Sequence, residues 1–250
     1  MDHNNTLSAI ICSNCPRRRF GVCKVMVNFI SQYCDSHSPR QFSLLAKKFL
    51  FRQGEELQDA YVLREGWIQL TRVSENGERQ VFRPVLPGEL LGVQPDSKGP
   101  AIYSAVAALD SVICDIPNLD TMCLSEPKLA MRVAWVAACD MVLTEMYLTN
   151  IAHRNARERI AFMALELYRR LAMRGLNEGY MIQFPLKQQD IADTLGLTAI
   201  HVNRALHVLR EENVLTIHKH QLTILNYNKL CTIVGSDLEP MSSCDIMVDV

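Results

Sequence analysis

The sequence predicts an α+β protein with an N-terminal β-roll of jelly-roll type, one long helix and a C-terminal winged helix-turn-helix. Three observations carry that reading. Gly54, Gly66, Gly77 and Gly88 recur 12, 11 and 11 residues apart among short β-rich runs. A 4-3-4-3 stripe of mostly apolar residues runs from Ala130 to Ile151. The string QQDIADTLGLTAIHVNRALHVLR then lays down a helix, a tight turn and a second helix.

Composition bounds the answer. A chain of 250 residues can bury the cores of two modest domains. With 48% hydrophobic and 21% charged residues and a net charge of −1, it is neither a disordered tail nor a polybasic arm. That balance argues against binding nucleic acid regardless of sequence, which needs several phosphate contacts. A locally basic reading surface is left open. The opening MDHNNTLSAII has no basic segment and only a short apolar run, which does not fit a signal peptide. No stretch approaches the roughly 20 apolar residues of a membrane span, so a cytoplasmic protein is expected. In a reducing compartment nine cysteines point to metal ligation or redox chemistry before a disulfide frame.

The elements follow in chain order. Residues 1–35 hold CSNCPRRRFGVC, three cysteines beside three arginines. A metal cluster, a zinc clip and a thiol–disulfide switch all suit such a segment. Residues 36–126 carry FLFRQ, AYVLREG, WIQLTRV, RQVFRPV and SVICDI, strands of a small roll. Asn76-Gly77 marks a hairpin, since both residues tolerate positive φ. Residues 127–153 form the long helix. Ala130, Ala134, Ala137, Met141, Thr144, Leu148 and Ile151 fall on one face at coiled-coil spacing. Small residues there would let two helices approach closely, and packing of this helix on its own β-domain is the other reading.

Residues 154–250 complete the chain. A helix over about 156–174 ends at Gly175, GLNEG at 175–179 reads as a link, and the tail after about 228 looks flexible. Within the helix-turn-helix, Gly196 makes the turn and Thr198 the N-cap. Ile191, Leu195, Leu197, Val202 and Leu206 face inward, with Ala192 small where the helices cross. LTIH and QLTIL make a two-stranded wing around Lys219-His220. Ala199, Ile200, His201, Asn203 and Arg204 face outward. Arg204 suits guanine and Asn203 adenine; Thr198 and Lys187 suit phosphates; His201 suits either, and Ile200 a thymine methyl. An enzyme is not expected, because no Gly-rich phosphate loop or paired metal-ligand histidines occur and the histidines cluster in the C-terminal half.

A β-roll, a seam helix and a winged helix-turn-helix in this order resemble the CRP/FNR superfamily of bacterial transcription regulators, from about residue 12 to residue 226. The segment GWIQLTRVSENGERQVFRPVLPGELLG is similar to the family's cyclic-nucleotide-binding-like roll. The resemblance implies a homodimer through the helix at 127–153, two recognition helices on a near-palindromic operator, and contact with RNA polymerase, with activation as the family tendency.

Cys12, Cys15 and Cys23, at x2 and x7 spacing, together with Cys114 in SVICDIP resemble the FNR branch. In that branch four such cysteines hold an oxygen-labile [4Fe-4S] cluster. The resemblance implies Cys12, Cys15, Cys23 and Cys114 as the cluster ligands, with Cys34 as a possible replacement. Arg17, Arg18 and Arg19 would offset the cluster's negative charge. Zinc or a disulfide switch stays as the alternative. Cys123, Cys139, Cys231 and Cys244 read as structural.

Three departures matter. Cyclic-AMP binders of the fold carry an Arg-Ser pair where this chain has Tyr103-Ser104, so cyclic AMP is not expected as effector. Another ligand in the roll stays open. The FNR reading pattern Glu-x-x-Ser-Arg aligns with Ile200, Asn203 and Arg204, so a different target sequence is expected. The seam aspartate of the oxygen-sensing branch aligns with Thr144, with Asp140 one turn earlier.

Overall fold

The computed structural model describes residues 12, 14–28, 40–57, 59–96 and 98–235. Cys34 and Cys244 lie outside the described residues. The chain forms two compact units that divide between Ala137 and Ala138.

In the first unit, turns over residues 14–22 lead into the short helix α1 (Cys23–Met26). Eight strands follow: β1 (Gln41–Leu44), β2 (Phe49–Phe51), β3 (Ala60–Glu65), β4 (Ile68–Val73), β5 (Arg79–Val85), β6 (Leu90–Leu91), β7 (Ser104–Ala107) and β8 (Ser111–Ile116). They pair antiparallel into two four-stranded sheets, ordered β1-β8-β3-β6 and β2-β7-β4-β5. Alternation along the strands puts Leu63, Ile68, Leu70, Val85, Ala105 and Ile113 into the roll's core. The hairpin joining β4 and β5 forms where Asn76-Gly77 predicts it, but by a different turn. Gly77 N donates to Ser74 O at 2.9 Å and Ser74 N to Glu78 O at 3.0 Å. Only Gly77 takes positive φ, at 83°, so the loop is a type I turn closed by a glycine bulge.

A second apolar cluster sits on the other face of β3 and β8. Val62 and Ile116 pack there with Val22 and Met26 of the cysteine segment, Met122 of α2 (Leu119–Ser125) and Leu129 of α3 (Pro127–His153). Val22 is fully buried and Met26 is 2% exposed. Burial of such side chains stabilises by about 1.5–3 kcal/mol each, so the N-terminal segment is part of the fold. Arg132 Nε also donates to Gly21 O at 2.9 Å, tying the segment to α3.

The long helix divides its faces. Leu129, Val133 and Val136 belong to the second cluster of the first unit. In the second unit Leu143, Met146, Tyr147 and Asn150 are buried at the same 3–4 spacing. The seam stripe is a different face: Ala134, Ala137 and Thr144 are exposed, Met141 is 58% exposed and Leu148 67%. The expected packing of this helix on its own β-domain is seen for Leu129, Val133 and Val136, and the seam stripe is exposed in the single chain.

The second unit adds α4 (Ala156–Met173), β9 (Asn177–Glu178), β10 (Met181–Gln183), α5 (Gln188–Leu195), α6 (Ala199–Glu211), β11 (Leu215–His218), β12 (Gln221–Ile224) and α7 (Tyr227–Val234). Asn155 and Glu158 form a capping box that starts α4. Gly175, at φ 66°, ends it with Leu176 N donating to Leu171 O at 2.9 Å. Within α4 the buried Glu166 pairs with Arg170 at 2.6 Å and accepts from the Tyr147 hydroxyl at 3.0 Å.

Two expectations are corrected here. GLNEG is no inter-domain link: Asn177–Glu178 is a strand, and the wing is a four-stranded sheet in the order β11-β12-β10-β9. The tail begins later than residue 228, because Leu230 and Val234 are buried on one face of α7, whose N-cap Asn226 accepts from Lys229 N at 2.9 Å.

Gly21 is the tightest point of the cysteine segment. Its φ is 50°, and a β-carbon there would stand 2.5 Å from Gly88 O. Gly21→Ala is expected to destabilise the first unit by about 1–2 kcal/mol or more and to hasten reaction of Cys23 with a thiol reagent. Urea unfolding and timed labelling check this; parental values in both would contradict the packing described.

Candidate metal centre and nucleic-acid interface

The four cysteines that the family resemblance implies as ligands lie about one pocket. Cys12, Cys15, Cys23 and Cys114 line one pocket of about 470 Å³, measured out to its open mouth. Cys12 to Cys23 arrive on the N-terminal turns and α1. Cys114 arrives on β8, paired with Gln41 of β1 and Val62 of β3. Ile113 points into the roll's core, so by strand alternation Cys114 faces the opposite way, toward the N-terminal segment. Met26, Val27, Val62 and Ile116 supply the apolar wall.

The electrostatics are those of a cationic, thiol-lined pocket. Arg17, Arg18 and Arg64 line it, and among the described residues no carboxylate or imidazole does. Arg17 is 8% exposed. Its guanidinium is pulled down by desolvation, and charge on Cys15 and Glu65 works against that. Arg19 is exposed and is not among the lining residues, so the expected trio of compensating arginines becomes Arg17, Arg18 and the unanticipated Arg64. Arg64 donates to the Gln41 side-chain oxygen, and Gln41 in turn hydrogen-bonds the Cys114 thiol. Sequence reading missed this pair, because the only signal for it is strand register across the sheet.

Desolvation pushes the Cys114 thiol up to about 12, with Cys12 and Cys15 adding to the rise while Arg64 and Gln41 oppose it. Desolvation likewise raises Cys23, and the other three cysteines add to it. The Cys23 and Cys114 thiols, desolvated and crowded by the other cysteines, resist becoming free thiolates, and a bound cationic core would relieve that penalty. An all-sulfur donor set with three guanidiniums around it suits a thiolate-ligated iron–sulfur group, whose net charge is negative. Among the described residues no three His, Cys, Asp or Glu side chains converge as a single metal ion requires.

In the roll, the polar groups around the Gly88–Glu89 turn and at Ser104 are engaged within the chain. Arg83 Nη1 donates to Glu89 Oε2 at 2.9 Å, and Leu86 N donates to the same oxygen at 3.1 Å, closing the Pro87–Gly92 turn. Tyr103 packs on Phe51 with ring centroids 5.8 Å apart. The Ser104 hydroxyl accepts from Gln53 N at 2.9 Å.

In the second unit the reading head has the expected geometry. Gly196 caps α5 at φ 62°, with Leu197 N donating to Ala192 O at 3.0 Å. Thr198 is extended and its hydroxyl accepts from His201 N at 3.2 Å, starting α6. Ile191, Ala192, Leu195 and Val202 are buried as expected, Leu197 and Leu206 are half-buried, and Leu209, not named from the sequence, is buried as well. His201, Asn203 and Arg204 are exposed, as are Thr198 and Lys187, and Ile200 is 64% exposed. Ala199 is half-buried, unlike its outward assignment. Asn203 Nδ2 donates to Gln188 Oε1 at 3.5 Å, which adds Gln188 to the same surface. At the wing tip Lys219 and His220 both hold positive φ, 47° and 62°. Without a glycine such a two-residue turn is strained. It presents His218, Lys219 and His220, all exposed, at the tip where the sequence places Lys219-His220.

Comparison with known proteins agrees with this geometry. The cyclic nucleotide-binding domain family matches residues 41–123, and the Crp-like helix-turn-helix domain family matches residues 158–233. The anaerobic regulatory protein of Aggregatibacter actinomycetemcomitans is 26% identical over 231 residues, covering 92% of this chain and 90% of that protein. The fumarate and nitrate reduction regulatory protein of Escherichia coli is 25% identical, covering 91% of each. The structure of FixK2 from Bradyrhizobium japonicum superposes with a TM-score of 0.71 at 23% identity, over 79% of this chain and 98% of that one. With a roll, a long helix and a Crp-like reading head in this order, the chain belongs to the CRP/FNR family of transcription regulators.

Proposed function

We propose that this regulator senses oxygen or redox state through a [4Fe-4S] group held by Cys12, Cys15, Cys23 and Cys114. One observation carries the reading: cysteines from two distant parts of the chain line a single pocket. When bound, such a group supplies a redox-active, oxygen-labile centre at that pocket. The chain's own residues do the rest. Arg17, Arg18 and Arg64 offset negative charge there, Gln41 orients Cys114, and the apolar wall limits water. Arg132 binds Gly21 O, and Val22 and Met26 pack with Leu129, so the order of the cysteine segment bears directly on the first turns of α3.

Zinc is the second reading. Its four sulfurs would stand about 3.8 Å apart around one ion, from tetrahedral bonds of about 2.3 Å. A cyclic nucleotide is disfavoured because Tyr103 stands where a phosphate-binding cation is needed and Glu89 is already paired with Arg83.

The reading head serves a homodimer in this proposal, joined through the exposed stripe of α3 and placing two copies of α6 in successive major grooves of a near-palindromic site. Arg204 and Asn203 read bases, Ile200 meets a thymine methyl, and His201, Thr198 and Lys187 approach the backbone or base edges. Activation fits the name of one relative, a transcriptional activator protein of Pseudomonas protegens; contact with RNA polymerase, in the cytoplasm and with no enzymatic step, completes the proposal.

Two results are expected. Protein isolated without oxygen carries iron and acid-labile sulfide in equal amounts, and Cys114→Ser loses both while the circular dichroism of the fold persists. Zinc in place of iron in the anaerobic protein would contradict the proposal. Arg204→Ala loses about tenfold or more in affinity for a duplex selected by the parent from a random library, the worth of about 1–3 kcal/mol for a bidentate base contact. Fluorescence anisotropy reads this, and unchanged selectivity would remove α6 as the reading helix.

A further inference from the structure

The stretch HRNARER, residues 153–159, spans the corner between α3 and α4 and carries three arginines. Each engages the C-terminal end of a different helix of the reading head. Arg159 Nε donates to Arg154 O at 2.8 Å, and its Nη1 donates to Leu195 O at 2.9 Å and to Gly196 O at 3.4 Å. Leu195 ends α5 and Gly196 caps it. Arg157 pairs with the carboxylate of Glu212, the C-cap of α6, and Lys229 Nζ donates to the Glu212 backbone oxygen at 2.8 Å. Arg154 Nη1 donates to Ile233 O at 3.3 Å and its Nη2 to Val234 O, at the end of α7.

The last turns of α3 join the same set. Asn150, 1% exposed, donates through Nδ2 to Arg159 O at 3.4 Å. The Ile151 Cγ2 methyl lies 3.7 Å from where a β-carbon on Gly196 would stand. Helix C-termini carry partial negative charge and unpaired carbonyls, and a guanidinium satisfies both with a rigid planar fork. A lysine supplies the charge but not the fork.

We propose that Arg154, Arg157 and Arg159 form a clamp by which the end of α3 fixes the orientation of the recognition helix, with Arg159 as its central positioning residue. The inference rests on the reading of α6 as the helix that meets bases. Ile191, Leu195, Val202 and Leu209 are buried in the core of the second unit, where α6 packs on both α5 and α4. The three arginines act one level up, tying α5 and α6 to the α3–α4 corner. None of the three is among the residues assigned to bases or phosphates. Weakening the clamp leaves the two-helix head folded but free to swing, so precise base contacts suffer while loose contact with any duplex survives. That split separates a positioning role from a merely structural one.

The test uses the full chain and Arg159→Lys, which keeps the charge and loses the fork. The parent protein selects duplexes from a random-sequence library, and anisotropy then compares a selected duplex with an unselected one of equal length. Arg159→Lys is expected to lose about tenfold in affinity for the selected duplex, the scale of one bidentate base contact, with affinity for the unselected duplex and the thermal unfolding midpoint unchanged. Amide exchange of the free protein is expected to quicken at Leu197 and His201, whose N–H groups hold the turn. Parental affinity for the selected duplex overturns the clamp, as does a parallel loss of both affinities with a lowered midpoint. Should the parent select no duplex, the reading of α6 falls instead, and unchanged amide exchange in Arg159→Lys still overturns the clamp by itself.

Discussion

The packing of a cysteine-bearing loop onto the outer face of the β-roll is the constraint from which the rest follows. Val22 and Met26 enter a cluster with Val62, Ile116 and Leu129, and Arg132 reaches Gly21 O from α3. That cluster brings the N-terminal sulfurs within reach of Cys114, which a strand has already turned outward. The same cluster includes the first turns of α3. A chemical event at the sulfurs and the placement of those turns are therefore parts of one packing problem, since close-packed interiors transmit displacement. Gly21 makes the arrangement specific, because only a residue without a β-carbon passes so close to Gly88.

Polarity is distributed to match. The roll's interior is apolar and its effector turn is locked by the Arg83–Glu89 pair, while cationic residues gather at the sulfur pocket instead. The roll matches the cyclic nucleotide-binding domain family in fold, and Glu89 of its Pro87–Gly92 turn is engaged by Arg83 and Leu86 N. Its opposite face holds the chemically distinctive pocket. In the second unit charge works at helix ends: arginines of the α3–α4 corner take carbonyls and a carboxylate at the ends of α5, α6 and α7. The face of α6 that carries Asn203 and Arg204 is left exposed.

Much of this was legible in the sequence, for reasons that differ by element. The roll and the head announce themselves through turn glycines and periodic apolar residues, whose physical demands are local. The cysteine quartet was legible because x2 and x7 spacing with a strand cysteine matches a known ligand pattern, and the structure gathers those four residues about one pocket. Arg64 and Gln41 were not legible, since their place depends on register between strands distant in sequence. Helix α7 was read as tail because eight residues offer barely two turns of periodicity before the acidic end. GLNEG was read as a link because glycines mark turns without saying whether a domain or a hairpin follows. Nothing in the sequence marks the arginines of HRNARER, as their carbonyl partners appear only once the helices are assembled.

The central claim is that the state of the sulfur pocket governs the order of the first turns of α3. Amide hydrogen exchange over Leu129–Val136, compared between anaerobic protein and the same sample after air exposure, tests it most directly. The account predicts faster exchange in that segment after air, with the core of the roll at Leu63 and Ile113 unchanged. Identical exchange in the two samples, in protein shown to have lost its iron, would contradict it.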